Sequence, residues 1–181
     1  LSLDQLIQKC KKNDTKAQSD LYKLFSSKLF ALCLKYSRNH VEAEDNLQDA
    51  FVTIFEKISQ YKHKGSFEGW LKRIVINTAL QRYRSKGVFN IVNENNIEDA
   101  TIEIEDNDNV DIDYLLLIIQ ELPDRYRLVF NLYALDGYSH KEIAKMLDIT
   151  TGTTKSNLAR ARLILKNKIE KYKANLNSKS L

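Results

Sequence analysis

Residues 138–165 read YSHKEIAKMLDITTGTTKSNLARARLIL, and their spacing decides the fold. Ser139 followed by Glu142 makes a capping box, and Tyr138 and Ile143 stand at the two ends of a hydrophobic staple, so a helix starts here. Asp148-Ile149-Thr150 reads as a turn after Leu147, and Thr150 caps a second helix that runs through Arg162 and beyond. Ile143, Ala144 and Leu147 face inward from the first helix and Ile149 from the turn. Thr154, Leu158, Ala161 and Leu165 form an i, i+4, i+7, i+11 stripe on the second. Ala144 is small where two crossing helices must approach closely. Opposite the stripe lie Thr151, Thr153, Lys155, Ser156, Ala159 and Arg160, hydroxyl and cationic groups with little apolar bulk. Such a face suits phosphates and base edges in a major groove, the arrangement of a helix-turn-helix. Two positions depart from the usual pattern. Asp148 stands where the turn often has Gly, although Asp tolerates left-handed backbone better than most residues. Thr154 stands where a larger aliphatic side chain would fill more of the core.

The same periodicity runs outward through the chain. With 1 Pro and 5 Gly in 181 residues there are few breakers, and the pattern predicts an all-α protein. Leu3, Leu6, Ile7 and Cys10 make a first stripe, and Leu21, Leu24, Phe25, Leu29 and Leu32 a second. Leu47, Phe51, Ile54, Phe55 and Ile58 make a third, with Asp45, Gln48, Asp49 and Glu56 off its apolar seam. Trp70, Leu71, Ile74, Val75 and Thr78 lie on a fourth helix ending near Arg84, beyond the bend Lys62-His63-Lys64-Gly65-Ser66. Order lapses after Gly87 and returns at Ile112, with an apolar stretch through Ile119. Pro123 then sits where the next helix begins, a place that tolerates its missing N–H.

Charge divides the chain at the same places. The net charge is +4, but residues 1–86 carry +7, residues 87–124 carry −11 with no Lys or Arg, and residues 125–181 carry +8. This predicts two small basic domains, 1–86 and 112–181, joined by an acidic flexible linker over 87–111, in which Val88 to Val92 is at most a brief extended piece. The 43% hydrophobic content excludes a wholly disordered chain. The apolar run Leu115–Ile119 is too short for membrane insertion, and the charged N-terminal segment does not read as a secretory signal. Cys10 and Cys33 lack ligand company and read as reduced core thiols, so neither a metal nor another cofactor is expected.

In the first basic domain, aromatic and cationic residues interleave around the bend: Tyr61, Lys62, His63, Lys64, Phe67, Trp70, Lys72 and Arg73, then Arg82, Tyr83, Arg84 and Lys86. Single-stranded nucleic acid is held by this combination. Phe67 and Trp70 fall on apolar helix faces and are expected in the core, whereas Tyr61 and the bend are expected on the solvent side. Just before them, Ala43-Glu44-Asp45-Asn46-Leu47-Gln48-Asp49-Ala50-Phe51 presents an acidic face, which DNA would repel and a basic protein would attract.

Together these segments resemble bacterial sigma factors of the sigma-70 class, specifically the small extracytoplasmic-function (ECF) group. Residues Ala43 to Phe51 look like the core-polymerase-binding helix of region two. Ser66-Phe67-Glu68-Gly69-Trp70-Leu71 with Ile74 and Asn77 looks like the promoter-melting segment, and Leu122-Pro123 through Leu165 looks like region four. The resemblance implies that Asp45, Gln48 and Asp49 engage the clamp helices of the largest polymerase subunit. It implies that Tyr61, Lys62, His63, Lys64, Gly65 and Ser66 form the loop that captures a flipped base of the −10 element, with Asn77, Arg82 and Arg84 along the −10 recognition helix. Thr151, Thr153, Lys155, Ser156 and Arg160 would face the −35 element, with Arg162 at the DNA backbone. Asn157 stands where many members carry a basic residue. The linker would thread toward the RNA path of the enzyme.

The implied partners are core RNA polymerase, through its clamp helices and flap, promoter DNA and an anti-sigma factor. The implied location is cytoplasmic, and no enzymatic activity is expected. A stand-alone helix-turn-helix regulator, with residues 1–86 as a dimerisation or sensory module, is the alternative. A DNA-cleaving enzyme would need a nucleophile beside arginines, for which Tyr83 between Arg82 and Arg84 is the nearest candidate.

Overall fold

The structure, a computed structural model, describes residues 1–85, 87–88 and 110–179. Every regular element among them is helical, as the periodicity predicts: α1 (Leu3–Cys10), α2 (Thr15–Tyr36), α3 (His40–Lys57), α4 (Phe67–Ser85), α5 (Ile112–Gln120), α6 (Asp124–Phe130), α7 (His140–Leu147) and α8 (Thr151–Lys179). A 3₁₀ turn, Ile58–Gln60, follows α3, and a π turn, Asn131–Leu135, follows α6. The acidic linker, including the extended piece expected at Val88–Val92, lies almost wholly outside the described residues. The chain forms two compact units, Leu1–Arg82 and Tyr83–Leu181, so the division runs through the last turn of α4.

In the first unit, α1 starts in a capping box in which the Gln5 N–H donates to Ser2 Oγ and the Ser2 N–H to Gln5 Oε1. Asn13, at φ 56, reverses the chain, and Asp14 caps α2 by accepting from the Ala17 N–H at 2.9 Å. α2 packs on both α1 and α3 and buries Ala17, Leu21, Phe25, Leu29, Leu32, Cys33 and Tyr36. Leu24, expected on that face, is 56% exposed. The buried line swings toward Leu29 and Cys33 and leaves it beyond the edge. Ala43, Leu47, Ala50, Phe51 and Ile54 of α3 and Phe67, Leu71, Ile74 and Val75 of α4 complete the core. Each large aliphatic side chain fully buried in this way contributes about 1.5–3 kcal/mol.

In the second unit α8 packs against α5, α6 and α7, around Ile118, Leu122, Tyr126, Ala161 and Leu165. Arg127 is 1% exposed, yet its charge is answered. It pairs with Asp124 and donates to the carbonyls of Gln120 and Leu122, at and just beyond the end of α5. α8 continues well past Leu165, held to α5 by Tyr114 stacked on Tyr172 at 4.0 Å and by the Tyr114 hydroxyl donating to the Lys168 carbonyl.

Both cysteines are free and fully buried, as their apolar company predicts. Burial pushes the Cys33 thiol up to about 12 and raises Cys10 as well, first by desolvation and then by the charges of Asp14 and Asp20. Neither thiol therefore ionises near pH 8, and only the thiolate is nucleophilic. Iodoacetamide at pH 8 is expected to leave both unmodified in the native chain and to alkylate both in urea, as read by mass spectrometry.

Candidate nucleic-acid interface

In the second unit the local chemistry of residues 138–165 builds the expected pair of crossing helices. The Ser139 N–H and hydroxyl both donate to Glu142, whose own N–H returns to Ser139 Oγ, so the capping box is closed. These bonds hold the Glu142 carboxyl below its usual range. Asp148 takes the left-handed conformation at φ 56 and ψ 49, and the Ile149 N–H bonds back to the Ala144 carbonyl at 3.0 Å. Thr150 caps α8 by accepting from the Thr153 N–H at 3.0 Å.

The unexpected Thr at 154 has its reason here. The side chain is wholly buried, and its hydroxyl donates to the Thr151 carbonyl at 2.7 Å. Its oxygen also lies 3.0 Å from His140 Nδ1, a hydrogen bond whose donor is set by the imidazole tautomer. His140 also stacks on Tyr133 at 4.4 Å, and the Arg162 guanidinium lies over the same tyrosine ring. An aliphatic residue at 154 would fill the space but could not join the first turn of α7 to α8. His140 and Tyr133 are functional supports that the spacing does not reveal. The clue was a hydroxyl on an apolar stripe, which demands a polar partner.

The outward face is narrower than the sequence suggests. Thr151, Gly152 and Lys155 are exposed, and Thr153, Ser156, Arg160 and Arg162 are half-buried. Ala159, expected on this face, is buried at 1% exposure. Asn157 is also turned inward at 5% exposure, so the absence of a basic residue there removes nothing from the surface. Arg160 donates to the Tyr126 hydroxyl at 3.1 Å, and Arg125 donates to the same oxygen at 3.2 Å. Burial pushes the Tyr126 phenol up, but the hydrogen bonds and charges of the two arginines outweigh it and hold the phenol below its usual range.

In the first unit, Asn39 caps α3 by accepting from the Glu42 N–H, and the buried Glu42 carboxylate receives the Arg38 backbone and guanidinium. Asn46 donates to Ser37 Oγ inside the core, at 2.8 Å. These residues fix the rotation of α3, leaving Asp45, Gln48 and Asp49 outward. Across from them, Arg82 of α4 places Nη2 2.6 Å from Asp49 Oδ2 and Nη1 3.6 Å from Asp45 Oδ2.

The bend between α3 and α4 is exposed at Lys62, His63, Lys64, Gly65 and Ser66. His63 and Gly65 both have positive φ, and Ser66 caps α4 through the Gly69 N–H. Tyr61, expected on the solvent side, is 6% exposed. Its ring packs on Phe67 and Trp70 at 5.0 and 5.5 Å, and its hydroxyl donates to the Gly65 carbonyl, which satisfies the one polar atom burial would strand. Tyr61 therefore shapes the loop from within. Phe67 is in the core as expected, and Trp70 is half-buried.

On α4, Asn77 and Arg84 are exposed and seven residues apart, hence on one face, and Arg73 joins them at i−4 from Asn77. Arg82 sits two residues from Arg84, about 200° around the helix at 3.6 residues per turn, and faces α3 instead. Tyr83, the nearest candidate nucleophile, is fully buried and is not placed to attack a DNA strand. Among the described residues, no group of three or more His, Cys, Asp or Glu could hold a metal, and no helix is long and apolar enough to cross a membrane.

Comparison with known proteins bears directly on these two units. Residues 21–88 match the family described as Sigma-70 region 2, and residues 112–165 match Sigma-70, region 4. This chain belongs to the sigma-70 family. It is 28% identical to the ECF RNA polymerase sigma factor SigW of Bacillus subtilis, over 93% of this chain and 97% of that one. It is likewise 28% identical to the ECF RNA polymerase sigma-E factor of Escherichia coli K12, over 91% and 93%. The sigma factor RpoE of Bartonella quintana, solved with the anti-sigma factor NepR, shares the fold at a TM-score of 0.52 and 24% identity, covering 84% of this chain and 96% of that one. The function is that of a sigma factor, directing transcription initiation, and the family is non-enzymatic.

For this sigma factor, Thr154→Val keeps the volume but removes both bonds of the hydroxyl. The expected result is a loss of about 0.5–1.5 kcal/mol in urea unfolding, from the bonds of the hydroxyl to the Thr151 carbonyl and to His140. Binding to a −35 duplex is expected to weaken in parallel.

Proposed function

We propose that this sigma factor binds core RNA polymerase through Asp45, Gln48 and Asp49 on α3 and reads promoter DNA with both units. The division of labour is 1–86 for core binding, −10 recognition and melting, and 112–181 for −35 recognition. The observation that carries the reading is the occurrence of regions 2 and 4, in order, on one chain. Each presents a face of the right charge: carboxylates on α3, and cations with hydroxyls on α8. A stand-alone regulator gives no reason for region 2.

Lys62, His63, Lys64, Gly65 and Ser66, shaped by the buried Tyr61, form the edge against which a −10 base is extruded. Arg73, Asn77 and Arg84 track the adjoining strand. Thr151, Thr153, Lys155 and Ser156 meet the −35 bases, with Arg160 and Arg162 nearer the backbone. Each set is small, so each unit alone binds DNA weakly and with strong salt dependence. Holding both on core enzyme makes each contact effectively intramolecular. Extruding a base costs a few kcal/mol, which the loop and basic helix face offset. No covalent step falls to this chain. An anti-sigma factor is the further partner, as NepR is for the RpoE of Bartonella quintana, and the place of action is the cytoplasm, with the polymerase.

The test is a pull-down with core polymerase, together with in vitro transcription from a promoter library. Asp49→Arg is expected to abolish core binding and initiation while the full chain retains its binding to a −35 duplex. Loss of duplex binding to the same degree as core binding, or tight and sequence-specific duplex binding by the native chain without core, would favour the stand-alone regulator.

A further inference from the structure

Arg82 lies on the opposite side of α4 from the DNA-facing line of Arg73, Asn77 and Arg84. It sits between two carboxylates four residues apart on α3, hydrogen-bonded to Asp49 at 2.6 Å and within ion-pair distance of Asp45 at 3.6 Å. Its side chain is 25% exposed, whereas those of Asp45 and Asp49 are 55% and 57% exposed. The guanidinium is thus packed against the unit, and the carboxylates it engages remain open to a partner.

We propose that Arg82 is a built-in brake on polymerase capture: an intramolecular cation seated on the carboxylates this sigma factor offers to core enzyme. The inference rests on the assignment of α3 to core binding. The physical argument is one of charge. Without Arg82, Asp45 and Asp49 present two negative charges; with it they present one, and an incoming basic surface meets a guanidinium already in place. Arg82 therefore lowers the attraction that steers the partner in and competes for Asp49 Oδ2 once contact is made. The pair lies near the surface, where such contacts are individually weak, so the brake is mild and sensitive to salt.

The experiment measures association and equilibrium binding of fluorescently labelled full-length chain to core polymerase at low and high salt. Arg82→Gln is expected to bind core about two- to five-fold tighter than the native chain at low salt, through a faster on-rate, with the difference lost at high salt. Arg82→Lys keeps the charge but cannot span both carboxylates, and is expected to show a smaller gain of the same sign. It serves as the readout if Arg82→Gln does not fold by circular dichroism. Unchanged or weaker binding of the folded variants overturns the proposal, because Arg82 would then only orient the carboxylates. Asp49→Arg in the same assay separates the two questions: if it leaves core binding intact, the α3 assignment fails, whatever Arg82 does.

Discussion

An α-helix of eight residues, the length of α1 and of α7, does not persist in water unless one of its faces is buried against a neighbour. That requirement governs both units. Each helix must commit a side to the core, and the 100° step between residues then dictates what is left for a partner. On α3 the buried side takes Ala43, Leu47, Ala50, Phe51 and Ile54 with Glu42 and Asn46, and the outward side carries Glu44, Asp45, Asp49 and Glu56. On α8 the core takes Thr154, Leu158, Ala161 and Leu165, and the remainder carries hydroxyls and cations. The functional surfaces are what the packing leaves over.

Polar groups inside the two cores do the fine positioning. Glu42 receives Arg38, Asn46 meets Ser37, and Arg127 answers Asp124 and two helix-end carbonyls. His140 and Thr154 join the two helices of the helix-turn-helix. Apolar contacts tolerate small rotations and slides, whereas a buried hydrogen bond is lost over a few tenths of an ångström. A surface that must present a few side chains in register to base edges depends on that directional component.

Charge is handled by segregation. The +7 and +8 segments flank one of −11, and even within the first the α3 face is acidic. Segregation of this kind keeps the charges of one chain from saturating one another. At Arg82 the separation is incomplete, since one cation of the basic unit is seated on the acidic face.

Much of this was legible in the residues. The all-helical class, the capping box at Ser139, the left-handed turn at Asp148 and the core positions of Phe67 and Leu158 follow from local sequence, because capping, backbone preference and 3.6-residue periodicity operate within a few residues. The sigma resemblance was carried by ordered motifs and needed no coordinates. What the sequence alone did not determine concerns the second helix in each contact. Leu24 looks like core until α2 takes its rotation from α1 and α3; Ala159 looks exposed until its neighbours cover it; Tyr61 looks like a stacking platform until Phe67, Trp70 and the Gly65 carbonyl enclose it. His140 finds Thr154 across 14 residues, and Arg82 finds Asp49 across 33. Sequence determines which face of a helix is apolar. Only the tertiary structure decides how far its neighbours wrap it and which polar side chains then come within bonding distance, because those depend on where several helices settle against one another at once.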